Sequence, residues 1–407
     1  MEKDRFSFKG FSSLAIHTGH QKESNNAHVS PVYATSSYVF DNAEQGMRKF
    51  SGEEKGYTYS RFGNPGFTEA EEKIALMEGF GIGAGGDSLP LKALLHSSGM
   101  AAVSTLLFMC LQKGDKILTH YSIYGGTEEM INKILPAFGI VAVLADLNDP
   151  QVVEEIIKKD PAIRMMYIET PSNPTIRCVD IAALSAVAKK YNVLVACDNT
   201  VATPYLQQPF KYDVDFVIHS TTKFLNGHGT AIGGILIGKD INFMQTKAKK
   251  THHLLGANSN AFDAFLLING LKTLELRMKQ HCANGADVAS FLNDHSAVAS
   301  VNYNGLSSHP DYELSKKQMR HAGAVLSFEL KGGLQAGMQF IDKLNMCVRA
   351  VSLGTCDTLI SHPASMSHAG IPADLRAKYG IADGLIRMSV GIENIEDILA
   401  DLDQALS

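Results

Sequence analysis

Two kinds of apolar pattern alternate through the middle of this chain. Short runs of aliphatic and β-branched residues occur at Lys116–Thr119, Ile140–Leu144, Met165–Ile168, Val193–Cys197, Phe216–Ile218 and Ile235–Ile237. Segments with helical spacing, such as Gln151–Lys159 and Ile181–Tyr191, lie between several of them. Strand-sized runs separated by helices predict βαβ units and a largely parallel sheet. Because the runs are apolar at consecutive positions, helices are expected on both faces of that sheet. Upstream, Phe67–Gly79 reads as a helix stopped by Gly79, followed by a glycine-rich connector over 80–92. Residues 1–66 are polar and irregular, too long for a structureless loop inside a domain, and are expected to form an arm that packs on something. After about residue 262 the rhythm changes to a long helical stretch, Phe262–Leu292, and then to sparser strands and helices. The expected organisation is an arm over 1–66, a large α/β domain over 67–262 and a smaller α+β domain over 263–407.

Composition narrows the classes. A length of 407 residues suits two or three domains, and 45% hydrophobic residues are ample for a packed core. The net charge of −5, from 37 basic and 42 acidic residues, disfavours a nucleic-acid partner. The six cysteines are scattered without a C-x-x-C pair, mostly among apolar neighbours, which predicts inert thiols in a reducing cytosol. The polar start MEKDRFSFKG does not resemble a signal peptide, and the longest apolar runs are far short of a membrane span. The expected location is therefore cytoplasmic, with no membrane partner. The 35 glycines point to backbone held close to something, phosphate being one candidate.

In an open parallel sheet, ligands bind beyond the carboxyl ends of the strands. Three segments in such places carry candidate chemistry. Ser97-Ser98-Gly99-Met100 enters a helix, where free N–H groups suit a phosphate, although a Ser-Gly pair also caps helices. Asp198 ends the Val193–Cys197 run; a buried carboxylate there needs a partner such as a cationic ring nitrogen, or else caps the following turn. Lys223 follows Ser220-Thr221-Thr222 and stands beside Phe224 and Leu225, where desolvation would depress its pKa. A depressed lysine is a nucleophile toward carbonyls and forms Schiff bases. Ser220 and Thr222 could donate to a phosphate from the same loop. A strand-end acid, a lysine and a phosphate cradle are the parts of a pyridoxal phosphate site.

Other chemistries fare worse. The near-match to a P-loop at Gly233–Lys239 continues with Asp240 instead of Ser or Thr, and its interior is a strand-like Ile235-Leu236-Ile237. No G-x-G-x-x-G follows the first strand, and there is no G-x-S-x-G elbow. His252, His253, His362 and His368 lack nearby Cys or carboxylate ligands at zinc spacing, so no metal is expected. A non-catalytic scaffold is disfavoured by the joint presence of Lys223, Asp198, Tyr124 and Arg387.

Several motifs together resemble one family. They are Tyr59-Ser60-Arg61 with Gly63-Asn64-Pro65, Ser98-Gly99-Met100, Tyr124-Gly125-Gly126-Thr127, Glu169-Thr170-Pro171-Ser172-Asn173-Pro174, Asp198-Asn199-Thr200, Ser220-Thr221-Thr222-Lys223 and Ile386-Arg387-Met388-Ser389-Val390-Gly391. In this order they resemble the Cys/Met-metabolism family of pyridoxal-phosphate enzymes, from about Phe11 to Leu406. The resemblance implies the fold of type I pyridoxal-phosphate enzymes, with 67–262 as the cofactor-binding domain. It implies that Lys223 holds the cofactor and moves protons, that Asp198 pairs with the ring nitrogen, and that Tyr124 stacks on the ring and protonates the leaving group. Asn173 would bond the ring hydroxyl and Thr200 would pack beside the ring. Ser98, Gly99, Met100, Ser220 and Thr222 would cradle the phosphate. Tyr59 and Arg61 would reach the phosphate of a neighbouring subunit, in a homotetramer built from dimers that share active sites. Arg387 would clamp the substrate carboxylate bidentately, with Ser352 nearby.

Within the family, Val351 stands where cystathionine-handling members often carry Glu, and Ser361–His368 looks like methionine γ-lyase. Gly126 stands where methionine γ-lyases typically carry Cys, and the Lys223–Gly234 segment also resembles O-acetylhomoserine sulfhydrylases. The expected reaction is γ-elimination on a sulfur amino acid. The alternatives are γ-replacement on O-acetylhomoserine, of sulfhydrylase or cystathionine γ-synthase type, and cystathionine γ-lysis.

Overall fold

A computed structural model describes residues 8–19, 26–367, 369–370, 374, 376 and 380–407. The predicted runs become strands β2 to β7, and one further strand precedes them. The seven are β1 (Lys92–His96), β2 (Lys116–His120), β3 (Val141–Ala145), β4 (Ile163–Glu169), β5 (Leu194–Asp198), β6 (Phe216–His219) and β7 (Gly234–Gly238). They form one sheet in the order β1-β7-β6-β5-β4-β2-β3. All neighbours are parallel except at β7, which runs antiparallel to both β1 and β6.

Consecutive apolar residues on each strand are sorted to opposite faces, as the two-residue period of a strand requires. Met165 and Tyr167 of β4 pack with Ala196, Ile218 and Leu236 on one face. Met166 and Ile168 pack with Val195, Cys197, Val217 and Ile235 on the other. Helices cover both clusters. The helix Pro65–Gly79 starts from Asn64, whose side chain accepts the Gly66 N–H, with Pro65 at the first helical position. It packs along β1.

The long helical stretch predicted over Phe262–Leu292 is two helices, Ala261–Leu271 and Leu274–Asp294. The break has a visible cause. Arg277 reaches back to the end of the first helix: its Nη2 donates to the Gly270 carbonyl at 2.7 Å and its Nε to Thr273 Oγ1 at 3.1 Å. A side chain at Gly270 would meet the Asn226 carbonyl oxygen at 2.1 Å, so the first helix ends directly against the loop that follows Lys223.

A second sheet contains β8 (Val298–Asn302), β9 (Val325–Leu330), β10 (Val348–Arg349), β11 (Leu359–Ser361) and β12 (Leu385–Ser389), in the order β10-β11-β12-β9-β8. It has its own apolar cluster, with Leu326, Phe328, Ile360, Ile386 and Met388 meeting Leu292, Phe340 and Leu402 from surrounding helices. Among the described residues no helix is long and apolar enough to cross a membrane. All six cysteines are free thiols.

Candidate active site

The carboxyl ends of β4, β5 and β6 open on a cavity of about 360 Å³. Segments from both sheets line it. From the large sheet come Ser98, Gly99, Met100, Tyr124, Asn173, Asp198, Thr200, Ser220, Thr222 and Lys223; from the second come Ser352 and Arg387. Twelve of the fourteen residues singled out in the sequence therefore meet in one place, although they span nearly 300 positions. The other two, Tyr59 and Arg61, do not line it. Arg61 donates from Nη1 to the His253 carbonyl at 2.8 Å, and its guanidinium lies 4.5 Å from the Phe62 ring centre. Tyr59 is 40% exposed on the arm. His368 of the Ser361–His368 run lies outside the described residues.

Lys223 is largely buried, and its Nζ donates to Ser352 Oγ at 2.6 Å. Burial, together with the positive charge of Arg387, lowers its pKa from 10.5 to about 8. Ser352 adopts φ +87, a left-handed conformation that costs a side-chain-bearing residue roughly 1–3 kcal/mol. That strained turn brings its hydroxyl to the lysine. Arg387 stands in β12, 5% exposed, with its pKa lowered to about 10 by burial.

Asp198 ends β5 with both oxygens oriented. Oδ1 accepts the Thr200 N–H at 3.0 Å and Oδ2 accepts the Tyr167 hydroxyl at 3.1 Å. Tyr167 is fully buried, and its phenol is held well above its usual pKa, by burial first and by the charge of Asp198 second. Thr200 in turn accepts the Ser220 N–H at 2.8 Å, which ties the β5 end to the lysine loop. Behind these strand ends, the fully buried Glu78 Oε1 meets His219 Nε2 at 2.6 Å and accepts from Asn199 Nδ2 at 3.1 Å.

The phosphate-sized end of the cavity is backbone and hydroxyl. Ser98 caps the helix Gly99–Cys110, its Oγ accepting the Ala101 N–H at 3.0 Å. The first N–H groups of such a helix have no acceptor within it. A Cβ at Gly99 would lie 3.0 Å from Ser220 Cβ, so any side chain there would fill the gap between the helix start and the lysine loop. Thr222 Oγ1 accepts the Gly233 N–H at 3.0 Å, which pins the same loop against the sheet.

Pyridoxal phosphate fits this set on three observations. Two buried polar atoms of cavity residues, Asn173 Oδ1 and Arg387 Nε, have no hydrogen-bond partner among the described residues. The Gly99 cradle would be filled by a Cβ. The donor and acceptor chemistry matches the group: an acid for a ring nitrogen, an amine for an aldehyde, and N–H and O–H groups for a phosphate.

Sequence reasoning missed part of this wall and of its support. Tyr167, buried in β4 behind Asp198, carries no local signal beyond its strand. Ile232, which lines the cavity and is 63% exposed, lies in a loop and was not singled out. Glu169 was visible only as part of a motif, without a role.

A seven-stranded, mostly parallel sheet whose strand ends present a buried lysine, an oriented aspartate and a helix N-terminus defines a pyridoxal-phosphate enzyme of the α/β type. The chain belongs to the Cys/Met metabolism PLP-dependent enzyme family, which it matches over residues 12–407. It is 44% identical to the L-methionine gamma-lyase of Porphyromonas gingivalis over 407 residues, covering 100% of this chain and 99% of that protein. It is 36% identical to the O-succinylhomoserine sulfhydrylase of Pseudomonas aeruginosa over 403 residues, covering 98% and 95%. The fold matches that of a cystathionine gamma synthase from Xanthomonas oryzae pv. oryzae, in complex with aminoacrylate and cysteine, with a TM-score of 0.89 and 35% identity over 98% of this chain and 97% of that one.

Proposed function

We propose that this enzyme carries out γ-elimination on a sulfur amino acid, in the manner of a methionine γ-lyase, releasing a thiol, 2-oxobutanoate and ammonia. The observation that carries the reading is the character of the cavity. Its buried Arg387 offers a site for one carboxylate, while its mouth is edged by Ile232 and Val351, both more than 60% exposed. An apolar mouth suits an uncharged thioether better than a second ammonium group.

When bound, pyridoxal phosphate supplies an electron sink for the carbanion at the substrate α-carbon. The chain's residues do the rest. Arg387 binds the substrate carboxylate through its planar guanidinium and so fixes the α-carbon against Lys223. Lys223 Nζ, whose pKa is lowered to about 8, would take a proton from that carbon, deliver it to the bound cofactor and, neutral again, take one from the β-carbon. Ser352 Oγ holds the lysine while it carries the proton. Asp198, kept in orientation by Tyr167 and the Thr200 N–H, would pair with the ring nitrogen and preserve its positive charge. Asn173 would hold the ring hydroxyl, and Thr200 would pack beside the ring. Tyr124 would cover the ring and hand a proton to the departing sulfur. Ser98, Gly99, Met100, Ser220 and Thr222 would hold the phosphate.

Tyr59 and Arg61 complete the phosphate site of a neighbouring copy, in a homotetramer of dimers, and 1–66 is the arm that delivers them. Their distance from their own cavity supports this, as does the scarcity of cations at its phosphate end. On this reading 67–262 is the domain that holds the cofactor and 263–407 is the smaller domain that contributes Ser352 and Arg387. Six unpaired thiols support a cytoplasmic location. Mixing two inactive variants, Arg61→Ala and Lys223→Ala, should restore part of the activity if sites are shared; no restoration after verified subunit exchange would refute sharing.

The substrate is tested by incubating the holoenzyme with methionine, cystathionine, homocysteine and O-acetylhomoserine, with and without sulfide, and identifying products. Release of 2-oxobutanoate from methionine without added thiol is the expected result. A second reading, replacement on O-acetylhomoserine, is favoured by Gly126 and by the His228-Gly229-Thr230 and Gly233-Gly234 segment. Homocysteine formed only from O-acetylhomoserine plus sulfide would select it.

A further inference from the structure

Glu169 ends β4 beside Asp198 at the end of β5, and the two residues are partners in the strand register. The Glu169 carboxyl is 9% exposed and forms part of the cavity wall. Its Oε2 accepts the Tyr124 N–H at 2.7 Å, and its Oε1 accepts the Asn173 N–H at 3.2 Å. One side chain thus spans two segments, the turn that opens the helix Gly125–Glu129 and the loop after β4, that lie 49 residues apart in sequence by the difference of 173 and 124.

Each segment has bonds of its own, the Glu128 N–H to the Tyr124 carbonyl and the Ser172 N–H to the Arg177 carbonyl, both at 2.9 Å, but these do not join one segment to the other. The Tyr124 side chain is 52% exposed, so packing within the chain does not set its position. The Asn173 side chain has a buried oxygen without a partner, so its own amide does not hold the loop either. Placing a second acid next to Asp198 has a cost. Burial, and then the charge of Asp198, push the Glu169 carboxyl up to about 8. An amide of the same shape would avoid that cost, but it offers one acceptor and one donor, and its donor would face an N–H. Only a carboxyl can receive both N–H groups in one plane.

We propose that Glu169 is a positioning residue for this site: its single carboxyl clips the Tyr124 and Asn173 backbones together and so sets the phenol and the amide in one geometry around the ring. The inference rests on the reading in which those two side chains face the cofactor. Glu169 itself transfers no proton in this scheme.

The test is Glu169→Gln in the purified holoenzyme, compared with wild type. The apoprotein should melt within about 2 °C of wild type, a small shift for a chain of this length. Visible circular dichroism per bound cofactor should fall at least about twofold, because the ring is no longer held in one orientation, and kcat should fall about tenfold to a hundredfold with KM changed less than about threefold, as expected for misplacement of reacting groups. In the double variant with Tyr124→Phe, the two losses in kcat should be less than multiplicative, since Glu169 acts through Tyr124. Wild-type dichroism and kcat in Glu169→Gln, or strictly multiplicative losses, would overturn the proposal. If the Gln variant fails to fold, Glu169→Asp, whose carboxyl is one methylene short of both N–H groups, carries the same readings. Lys223→Ala separates this inference from its basis. Retention of the visible cofactor band in Lys223→Ala refutes the site itself, whereas its loss alongside a wild-type-like Glu169→Gln refutes only the role of Glu169.

Discussion

Two regions of the molecule each bury a lysine, and in both the amine is lowered from 10.5 to about 8, chiefly by desolvation. At the junction of the N-terminal arm and the helix Pro65–Gly79, Lys73 is fully buried and donates to the carbonyls of Ala15 at 2.7 Å and Thr18 at 2.6 Å, with Ile16 at 3.4 Å. These are the last carbonyls of the short helix Phe11–His17 and the residue after it, so the ammonium closes a helix C-terminus. At the strand ends, Lys223 meets one hydroxyl, has Arg387 as its charged neighbour and opens on a cavity. The depressed pKa is therefore shared, and the surroundings separate a latch from a nucleophile. Lys73 has its donors occupied by carbonyls and no room for a ligand. Lys223 has room, one weak neutral partner, and a cation beside it that favours the neutral amine.

The sharpest way to break this comparison is to remove each amine. Lys223→Ala should lower turnover by about 10⁴-fold or more and abolish the visible cofactor band, as loss of a covalent and proton-moving group does; its melting temperature should hardly change. Measurable turnover above about 1% of wild type would contradict the assignment. Lys73→Met should do the reverse. It strands the Ala15 and Thr18 carbonyls while relieving a buried charge, a net loss of about 2 kcal/mol on urea unfolding, with activity per folded molecule preserved.

The pH response offers a finer distinction. An amine attacks only when neutral, so capture of pyridoxal phosphate by the apoprotein should accelerate as pH rises through about 8 and level off above it. With one controlling group, the rate at pH 7 should be roughly a tenth of that at pH 9. The same rise is expected in Lys73→Met, since Lys73 does not face the cavity. For stability the sign runs the same way. A lysine lowered in the folded state binds fewer protons there than in the unfolded chain between about pH 8 and 10.5, so its contribution to stability increases across that window. The stability difference between wild type and Lys73→Met should accordingly shift toward wild type from pH 8 to 10.

The smallest effect concerns the mouth of the Lys223 region. Val351→Glu places a carboxylate beside Ile232 at an open edge, where water screens it. Relative kcat/KM should move about fivefold from methionine toward cystathionine, whose distal ammonium would gain a partner worth about 1 kcal/mol. An unchanged ratio would show that the mouth does not read the distal group.

Much of the fold was legible because strands and helices declare themselves by local period. Six runs became β2 to β7 within a residue or two, and the helices at 67–79, 151–159 and 181–191 appeared nearly as read. β1 was overlooked because Lys92–His96 is a short run against a glycine-rich connector. The connector's own glycines proved to be turn residues: Gly81 and Gly85 take φ +71 and +70. The break at Lys272–Thr273 escaped notice because Arg277, which bonds back to Gly270, is itself held by the Phe224 carbonyl of the Lys223 loop at 2.8 Å, a tertiary contact.

By itself, the sequence determined the parallel βαβ core, the family and the chemistry-bearing residues, because each of these rests on residue type and spacing within short windows. The tertiary structure alone decided what each strand-end carboxylate touches. Asp198 was singled out in the sequence, whereas Glu169, which also ends a strand, stood there only as part of a motif. Strand register puts them side by side, the Tyr167 hydroxyl and Thr200 N–H orient one toward the cavity, and two backbone N–H groups from distant segments engage the other. It likewise decided that Lys73 is a latch. Partners brought together over dozens of residues follow from register and packing, and no local period encodes them.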